Sequence, residues 1–296
     1  MAQSKRRNAR RQNHEGKPIA INSIAACTRI YWARGGYDSK KAIISIHMTI
    51  KAMILAAGRG ERMRPLTDTT PKPLLQVRCK ALIDWHAQAL ARGGFTRLVI
   101  NTAWLGEQIS NHFFSQNTSQ PNKNGYQQLS ISYSHEGDDF GTALETAGGI
   151  ARALPLLGDV FWVLAGDVFV PGFEFLQSDV DRFAASGKLA HVWLVPNPDH
   201  NLGGDFGLSA DGLALSLPAG SPGPPQPRYT FSTIGLYRKE LFRDLPFGNP
   251  QGLKAPLAPL LRLAMDNQQV SAQLYRGAWT DVGTPARLDE LNTTSN

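Results

Sequence analysis

Lys51-Ala-Met-Ile-Leu-Ala-Ala-Gly-Arg-Gly-Glu-Arg-Met-Arg-Pro-Leu-Thr-Asp-Thr-Thr-Pro-Lys-Pro-Leu74 reads as a short apolar strand that empties into a glycine-broken, cation-rich loop. Lys51–Ala57 is the kind of run that forms a strand buried in a parallel sheet. Gly58 and Gly60 allow a sharp turn and a close ligand approach to the backbone. Arg59, Arg62, Arg64 and Lys72 place four cations beside that turn. Backbone N–H groups and cations together satisfy and neutralise a polyphosphate. A solvated basic loop is the plain alternative. The phosphate reading is favoured because glycines and cations coincide at a strand's carboxyl end, where open α/β sheets bind ligands.

Working outward, Ala81–Arg92 has helical spacing and stops at Gly93-Gly94. Strands are expected at Thr96–Asn101, Leu129–Ser134, Val160–Ala165, Ala190–Val195, Tyr229–Tyr237 and Val270–Tyr275. Helices are expected near Leu105–Phe114, from Gly148-Gly149 to Leu154, over Phe173–Ala185 and over Ala255–Met265. Gln116–Gln128 and the proline-rich Pro218–Pro227 read as loops. Alternating strands and helices with short connections predict an α/β, Rossmann-like, mostly parallel sheet with helices on both faces, in one domain over residues 48–296.

The formal charge of +7 would suit a nucleic-acid or anionic-membrane partner. Its location removes that suggestion. Residues 1–50 carry ten Lys/Arg against Glu15 and Asp38, while the rest of the chain carries 21 against 22 acidic residues. The first 47 residues therefore stand apart, as a disordered basic arm, a targeting peptide, or an extension upstream of a true start at Met48. The targeting reading is weak, since no 7–15-residue apolar stretch follows the basic start, and the last reading is favoured. Two cysteines, Cys27 and Cys79, form no disulfide framework and fit a reducing, cytoplasmic setting. With no run of 18 apolar residues, no membrane span is expected.

Two acidic signals accompany the loop. Gly166-Asp167 ends the strand Val160–Ala165, where a carboxylate could hold Mg²⁺ or merely cap the next turn. Asp281, within Trp279-Thr-Asp-Val-Gly-Thr284, supplies a second carboxylate and favours the metal reading, since two can position Mg²⁺ between nucleotide and second substrate. His86, on a helix pattern, reads as a partly buried surface residue. His191 and His200 show no metal spacing.

Leu55–Leu74 resembles the signature of the nucleotidyltransferases that make nucleotide sugars, L-A-A-G-x-G-x-R-(M/L)-x-P-L-T followed by P-K-P. The match is at Leu55, Ala56, Ala57, Gly58, Gly60, Arg62, Met63, Pro65, Leu66, Thr67, Pro71, Lys72 and Pro73. The resemblance extends over about residues 50–293. Glu145-Thr-Ala-Gly-Gly-Ile150, Gly204-Asp-Phe206, Tyr229-Thr-Phe-Ser232 and Trp279–Thr284 look like the short branch that uridylylates N-acetylmuramate 1-phosphate in bacterial cell-wall recycling. Ala147 and Ala165 depart from it, replacing a Gly and an Asn.

The resemblance implies transfer of UMP from UTP to a sugar 1-phosphate, with Mg²⁺ held by Asp167 and Asp281. It implies a triphosphate held by Ala56, Ala57, Gly58, Arg59, Gly60, Glu61 and Arg62, with Arg62 or Arg64 screening the departing pyrophosphate. Lys72 would sit at the α-phosphate. Glu145, Thr146 and Gly148 would shape the base pocket, and Ala165, Gly204 and Asp205 would meet the sugar, although Asp205 reads equally as a turn residue. Neither nucleic acid nor membrane is an expected partner, and a monomer or small homo-oligomer is expected. A glucose- or mannose-1-phosphate enzyme and a non-catalytic nucleotide sensor remain alternatives. No hexapeptide repeat is present to carry a second, acetyl-transferring activity.

Overall fold

In the computed structural model, residues 50–119, 129–217 and 227–293 are described. The expectation for residues 1–47 lies outside them, as do those for residues 120–128 and 218–226. Nine strands make the main sheet: β1 (Lys51–Leu55), β2 (Arg97–Thr102), β3 (Ser130–His135), β4 (Val160–Ala165), β5 (Ala190–Val195), β6 (Phe206–Leu208), β7 (Ala214–Leu215), β8 (Arg228–Arg238) and β9 (Val270–Leu274). The longer helices are α1 (Leu82–Arg92), α2 (Gly106–Ser119), α3 (Glu145–Ala153), α4 (Gln177–Ser186), α5 (Leu257–Asp266) and α6 (Pro285–Thr293).

β1 lies between β2 and β4 and is parallel to both, and β3 extends the sheet beyond β2. On the other side β8 runs antiparallel to β4 and to β5, and β9 closes that edge parallel to β5. The β6–β7 hairpin joins the start of β8. The chain thus moves outward from β1 in one direction through β2 and β3, and in the other from β4. That places a topological switch point between β1 and β4, where an open α/β sheet forms a ligand crevice at its carboxyl edge.

The two-residue period of a strand explains the two cores. Ala52 and Ile54 of β1 face α1, α2 and α4, packing with Ile83, Leu90, Phe113, Phe183 and Trp162. Met53 points the other way, to α3 and α5, among Ile150, Phe161, Val163, Leu261 and Met265. Met53 and Ile54 are both 0 % exposed, and burying each side chain contributes about 1.5–3 kcal/mol.

Several boundaries differ from the sequence expectation. α3 begins at Glu145, not at Gly148, so both glycines lie inside the helix. Space demands them: a Cβ on Gly148 would fall 2.5 Å from Leu253 O, and one on Gly149 would fall 2.5 Å from Glu136 Oε1. α4 starts at Gln177 because Phe173 and Phe175 are drawn into the core against Trp162. α2 continues to Ser119, into the stretch expected to be loop. His86 is only 1 % exposed, not half on the surface; burial pushes its pKa down to about 4, and it stays neutral.

Candidate active site

β1 ends at Leu55, and the chain crosses the top of the sheet. Ala56 N–H donates to Asn101 Oδ1 at 2.8 Å, tying the loop to the end of β2. Gly60 takes φ +68, and a Cβ there would sit 3.0 Å from Thr67 Cγ2, so backbone and space both favour glycine. Thr67 Oγ1 closes the turn by donating to Gly60 O at 2.8 Å.

Two of the four cations are engaged in building this loop. Arg59 donates to Thr67 O at 2.8 Å, stacks 3.7 Å above the Trp104 ring and pairs with Asp68. Arg64 pairs with the same Asp68 at 2.7 Å. These guanidinium hydrogen bonds, Arg64 first, hold the Asp68 carboxyl below its usual pKa. Glu61 and Arg62 are exposed.

Lys72 behaves differently. It occupies a short turn between Pro71 and Pro73, is 8 % exposed, and reaches Asp167 Oδ2 with its Nζ at 2.5 Å. Asp167 is set by the junction of β1 and β4. Leu55 pairs with Ala165, and Gly166 N–H donates to Leu55 O at 2.8 Å. A Cβ on Gly166 would lie 2.9 Å from that oxygen.

The Asp281 backbone is brought alongside. Thr280–Asp281 pairs with Val168–Phe169, and Val282 N–H donates to Asp167 O at 2.9 Å. The carboxylates, however, have separate partners: Lys72 for Asp167, and Arg287 with His200 (2.7 Å) for Asp281. Among the described residues, no group of three or more His, Cys, Asp or Glu side chains gathers as a metal cage. A hard cation here would have two protein carboxylates and otherwise phosphate and water ligands, a donor set that suits Mg²⁺.

Two adjoining cavities open at this edge. One, of about 230 Å³, is lined by Ala56, Ala57, Gly58, Lys72, Glu145, Thr146, Ala165 and Asp167 from the sequence-derived set. The other, of about 450 Å³, shares Leu55, Glu145, Thr146 and Ala165 and continues to Phe206, Phe231 and Leu261. Glu145 sits between them at φ +58, a left-handed conformation that costs a non-glycine residue roughly 1 kcal/mol or more and that clusters at functional sites.

Neither cavity's lining includes Arg59, Gly60, Glu61, Arg62, Arg64, Gly148, Gly204, Asp205 or Asp281. Asp205 accepts from Phe231 N–H at 2.8 Å, the turn role that the sequence left open. Gly148 is packed under the segment 253–255, with its N–H donating to Ala255 O.

Sequence reasoning missed Asn101 and Glu136, both of which line the first cavity. Asn101 Nδ2 donates to Glu136 Oε1 at 2.7 Å, and Leu144 N–H donates to Glu136 Oε2 at 2.7 Å. This network fixes the loop after β1 relative to the start of α3. Burial raises the Glu136 pKa, and those two hydrogen bonds oppose the rise.

This sheet and its edge define an α/β protein with a ligand crevice at the carboxyl ends of its strands, and the chain belongs to the nucleotidyl transferase family, whose model matches residues 51–295. It is 47 % identical over 247 residues to the N-acetylmuramate alpha-1-phosphate uridylyltransferase of Neisseria meningitidis, covering 81 % of this chain and 96 % of that one. It is 31 % identical to the enzyme of the same name from Caulobacter vibrioides, covering 79 % and 92 %. Among solved structures, HddC from Yersinia pseudotuberculosis complexed with GMP-PN shares the fold. Its TM-score is 0.61 at 16 % identity, covering 83 % of this chain and all of that one.

Proposed function

We propose that this protein transfers UMP from UTP to N-acetylmuramate 1-phosphate, giving the UDP-sugar and pyrophosphate, and that it serves cell-wall recycling in the cytoplasm. The observation that carries the reading is the pair of cavities meeting at Leu55 and Ala165, with Lys72 and Asp167 on the wall of the smaller one. The smaller cavity, walled by the Ala56–Gly58 backbone and Lys72, is assigned to the phosphates, and the adjoining larger one to the sugar. The similarity to the two named uridylyltransferases supports the choice of substrates.

In this reading a phosphate oxygen of the sugar 1-phosphate attacks the α-phosphorus in line, forming the new P–O bond as the bond to pyrophosphate breaks. Such a reaction depends on positioning and charge neutralisation. The backbone from Ala56 to Gly60 receives the triphosphate. Lys72, held between two prolines, neutralises charge developing at the α-phosphate. Arg62 would meet the leaving pyrophosphate, and Arg64 would do so on releasing Asp68. Asp167 and Asp281 would hold Mg²⁺, which supplies charge neutralisation between the phosphates when bound. Arg287 and His200 keep the Asp281 carboxylate compensated otherwise. Ala165, with its short side chain, leaves the junction of the two cavities open.

A pyrophosphate-release screen crossing the four nucleoside triphosphates with muramate, glucosamine, glucose and mannose 1-phosphates tests the proposal. Highest turnover with UTP and N-acetylmuramate 1-phosphate is expected. Activity with glucose 1-phosphate alone would refute the sugar assignment.

A further inference from the structure

Two separate segments line the smaller cavity, Ala56–Gly58 after β1 and Glu145–Thr146 at the start of α3. One buried chain of hydrogen bonds joins them. Ala56 N–H donates to Asn101 Oδ1 at 2.8 Å, Asn101 Nδ2 donates to Glu136 Oε1 at 2.7 Å, and Leu144 N–H donates to Glu136 Oε2 at 2.7 Å. Asn101 is 3 % exposed and Glu136 0 %, so Glu136 offers no surface to a substrate and acts through its neighbours. Its surroundings are tight. A Cβ on Gly137 would lie 2.6 Å from Ala103 O, and one on Gly149 would lie 2.5 Å from Glu136 Oε1.

The chemistry of this chain calls for a carboxylate. Both of its ends are backbone N–H donors, and an amide link such as Asn101 accepts on one side and donates on the other. Another link must therefore accept on both sides, which an ionised carboxylate does with one oxygen for each donor. Burying a charge is costly unless it is hydrogen-bonded. A glutamine of the same volume would avoid the charge but leave two donors facing each other. What the charge fixes is Leu144, the residue before Glu145, whose φ of +58 persists only where the surroundings dictate it.

We propose that Glu136 is a positioning residue, which sets the distance between the loop that holds the phosphates and the start of α3 that holds the base. A nucleoside triphosphate spanning both segments then has its α-phosphate placed at Lys72 for attack. The inference rests on the functional reading in which the phosphates lie along Ala56–Gly58 and the base lies beside Glu145 and Thr146. A ligand that touches one segment alone does not depend on the distance between them. One that bridges them does, and a displacement of about 1 Å at the reacting atoms can cost on the order of 100-fold in rate.

The test is calorimetric titration of UTP and of inorganic tripolyphosphate, each with Mg²⁺, into the wild type, Glu136→Gln and the double variant Asn101→Asp with Glu136→Gln. Turnover with UTP and N-acetylmuramate 1-phosphate is measured beside it. Glu136→Gln is expected to weaken UTP binding about tenfold and to lower kcat about tenfold or more, while tripolyphosphate binding stays within about threefold. The double variant exchanges carboxylate and amide between the two positions, so that every donor again meets an acceptor. It should restore UTP binding and kcat to within about threefold of the wild type. Equal losses for UTP and tripolyphosphate in Glu136→Gln, no loss for UTP, or a double variant no better than the single one would overturn the inference while leaving the transfer reaction standing. A wild type that fails to bind either UTP or tripolyphosphate would overturn the functional reading instead, and this inference with it.

Discussion

Replacing Lys72 by alanine removes a cation that the fold holds in place at some cost. The side chain is about nine-tenths buried, fixed between Pro71 and Pro73, and its ammonium lies 2.5 Å from Asp167. A unit charge about 4 Å from charge developing on the α-phosphate is worth roughly 4 kcal/mol at an effective dielectric near 20. Allowing for partial replacement by water, a loss of about 3 kcal/mol is expected, a fall of at least ~100-fold in kcat/KM. The effect on folding should be much smaller. Asp167 is 40 % exposed, so the ion pair itself contributes only about 1 kcal/mol, and the melting temperature should drop by about 2–4 °C. A coupled pyrophosphate assay with UTP and N-acetylmuramate 1-phosphate, run beside a thermal melt, separates the two effects. A variant within fivefold of wild-type kcat/KM would mean that Lys72 only compensates Asp167, and the assignment would fall.

Other perturbations report on other parts of the site. Asn101→Leu strands Ala56 N–H and Glu136 Oε1, and at about 1–3 kcal/mol for each unsatisfied group urea titration should show a loss of several kcal/mol; a loss under 1 kcal/mol would contradict the network. Gly60→Val forces a β-branched residue into φ +68 against Thr67, so the KM for UTP should rise about tenfold or more while the sugar KM moves little. His86 and His191 are both pushed down to about 4 by burial. The unfolded chain therefore binds more protons between pH 4 and 6.5. Stability is complete above 6.5 and falls as pH drops toward 4, at up to about 1.4 kcal/mol per pH unit for each histidine. The raised pKa of Glu136 acts in the opposite sense just above pH 4.5. Urea midpoints at pH 7, 6 and 5 should decline, and His86→Gln should flatten the slope by about one proton.

The strands were the most legible part of the fold. β4 and β5 run over the same residues the sequence indicated, because short apolar runs bounded by turn residues admit little else. α3 was misplaced for a specific reason. Gly148 and Gly149 read as punctuation locally, whereas their lack of a side chain answers to Leu253 and Glu136, distant in sequence. Of the cavity lining, Ala56–Gly58, Lys72, Asp167 and Glu145 could be found because they fall in contiguous motifs. Asn101 and Glu136 could not be paired, being 35 residues apart and joined only through the adjacent ends of β2 and β3. Both nevertheless fall at or just after a strand's carboxyl end, the same positional signal that drew attention to Asp167. The irregularity in β8 between Phe231 and Gly235 did leave a trace, since the large apolar residues shift from odd positions (Tyr229, Phe231) to even ones (Ile234, Leu236), although the stretch was read as one unbroken strand. The pairing of Asp281 with Arg287 and His200 likewise depends on tertiary contacts.

The central claim is that one phosphate oxygen of the sugar attacks UTP at this sheet edge. Sugar 1-phosphate labelled with ¹⁸O in its phosphate, incubated with UTP, Mg²⁺ and the purified protein, tests it directly by mass spectrometry of the products. The account predicts a UDP-sugar that retains all of the label in its diphosphate, formed one-to-one with unlabelled pyrophosphate. Absence of the UDP-sugar, or label appearing in pyrophosphate, would contradict it.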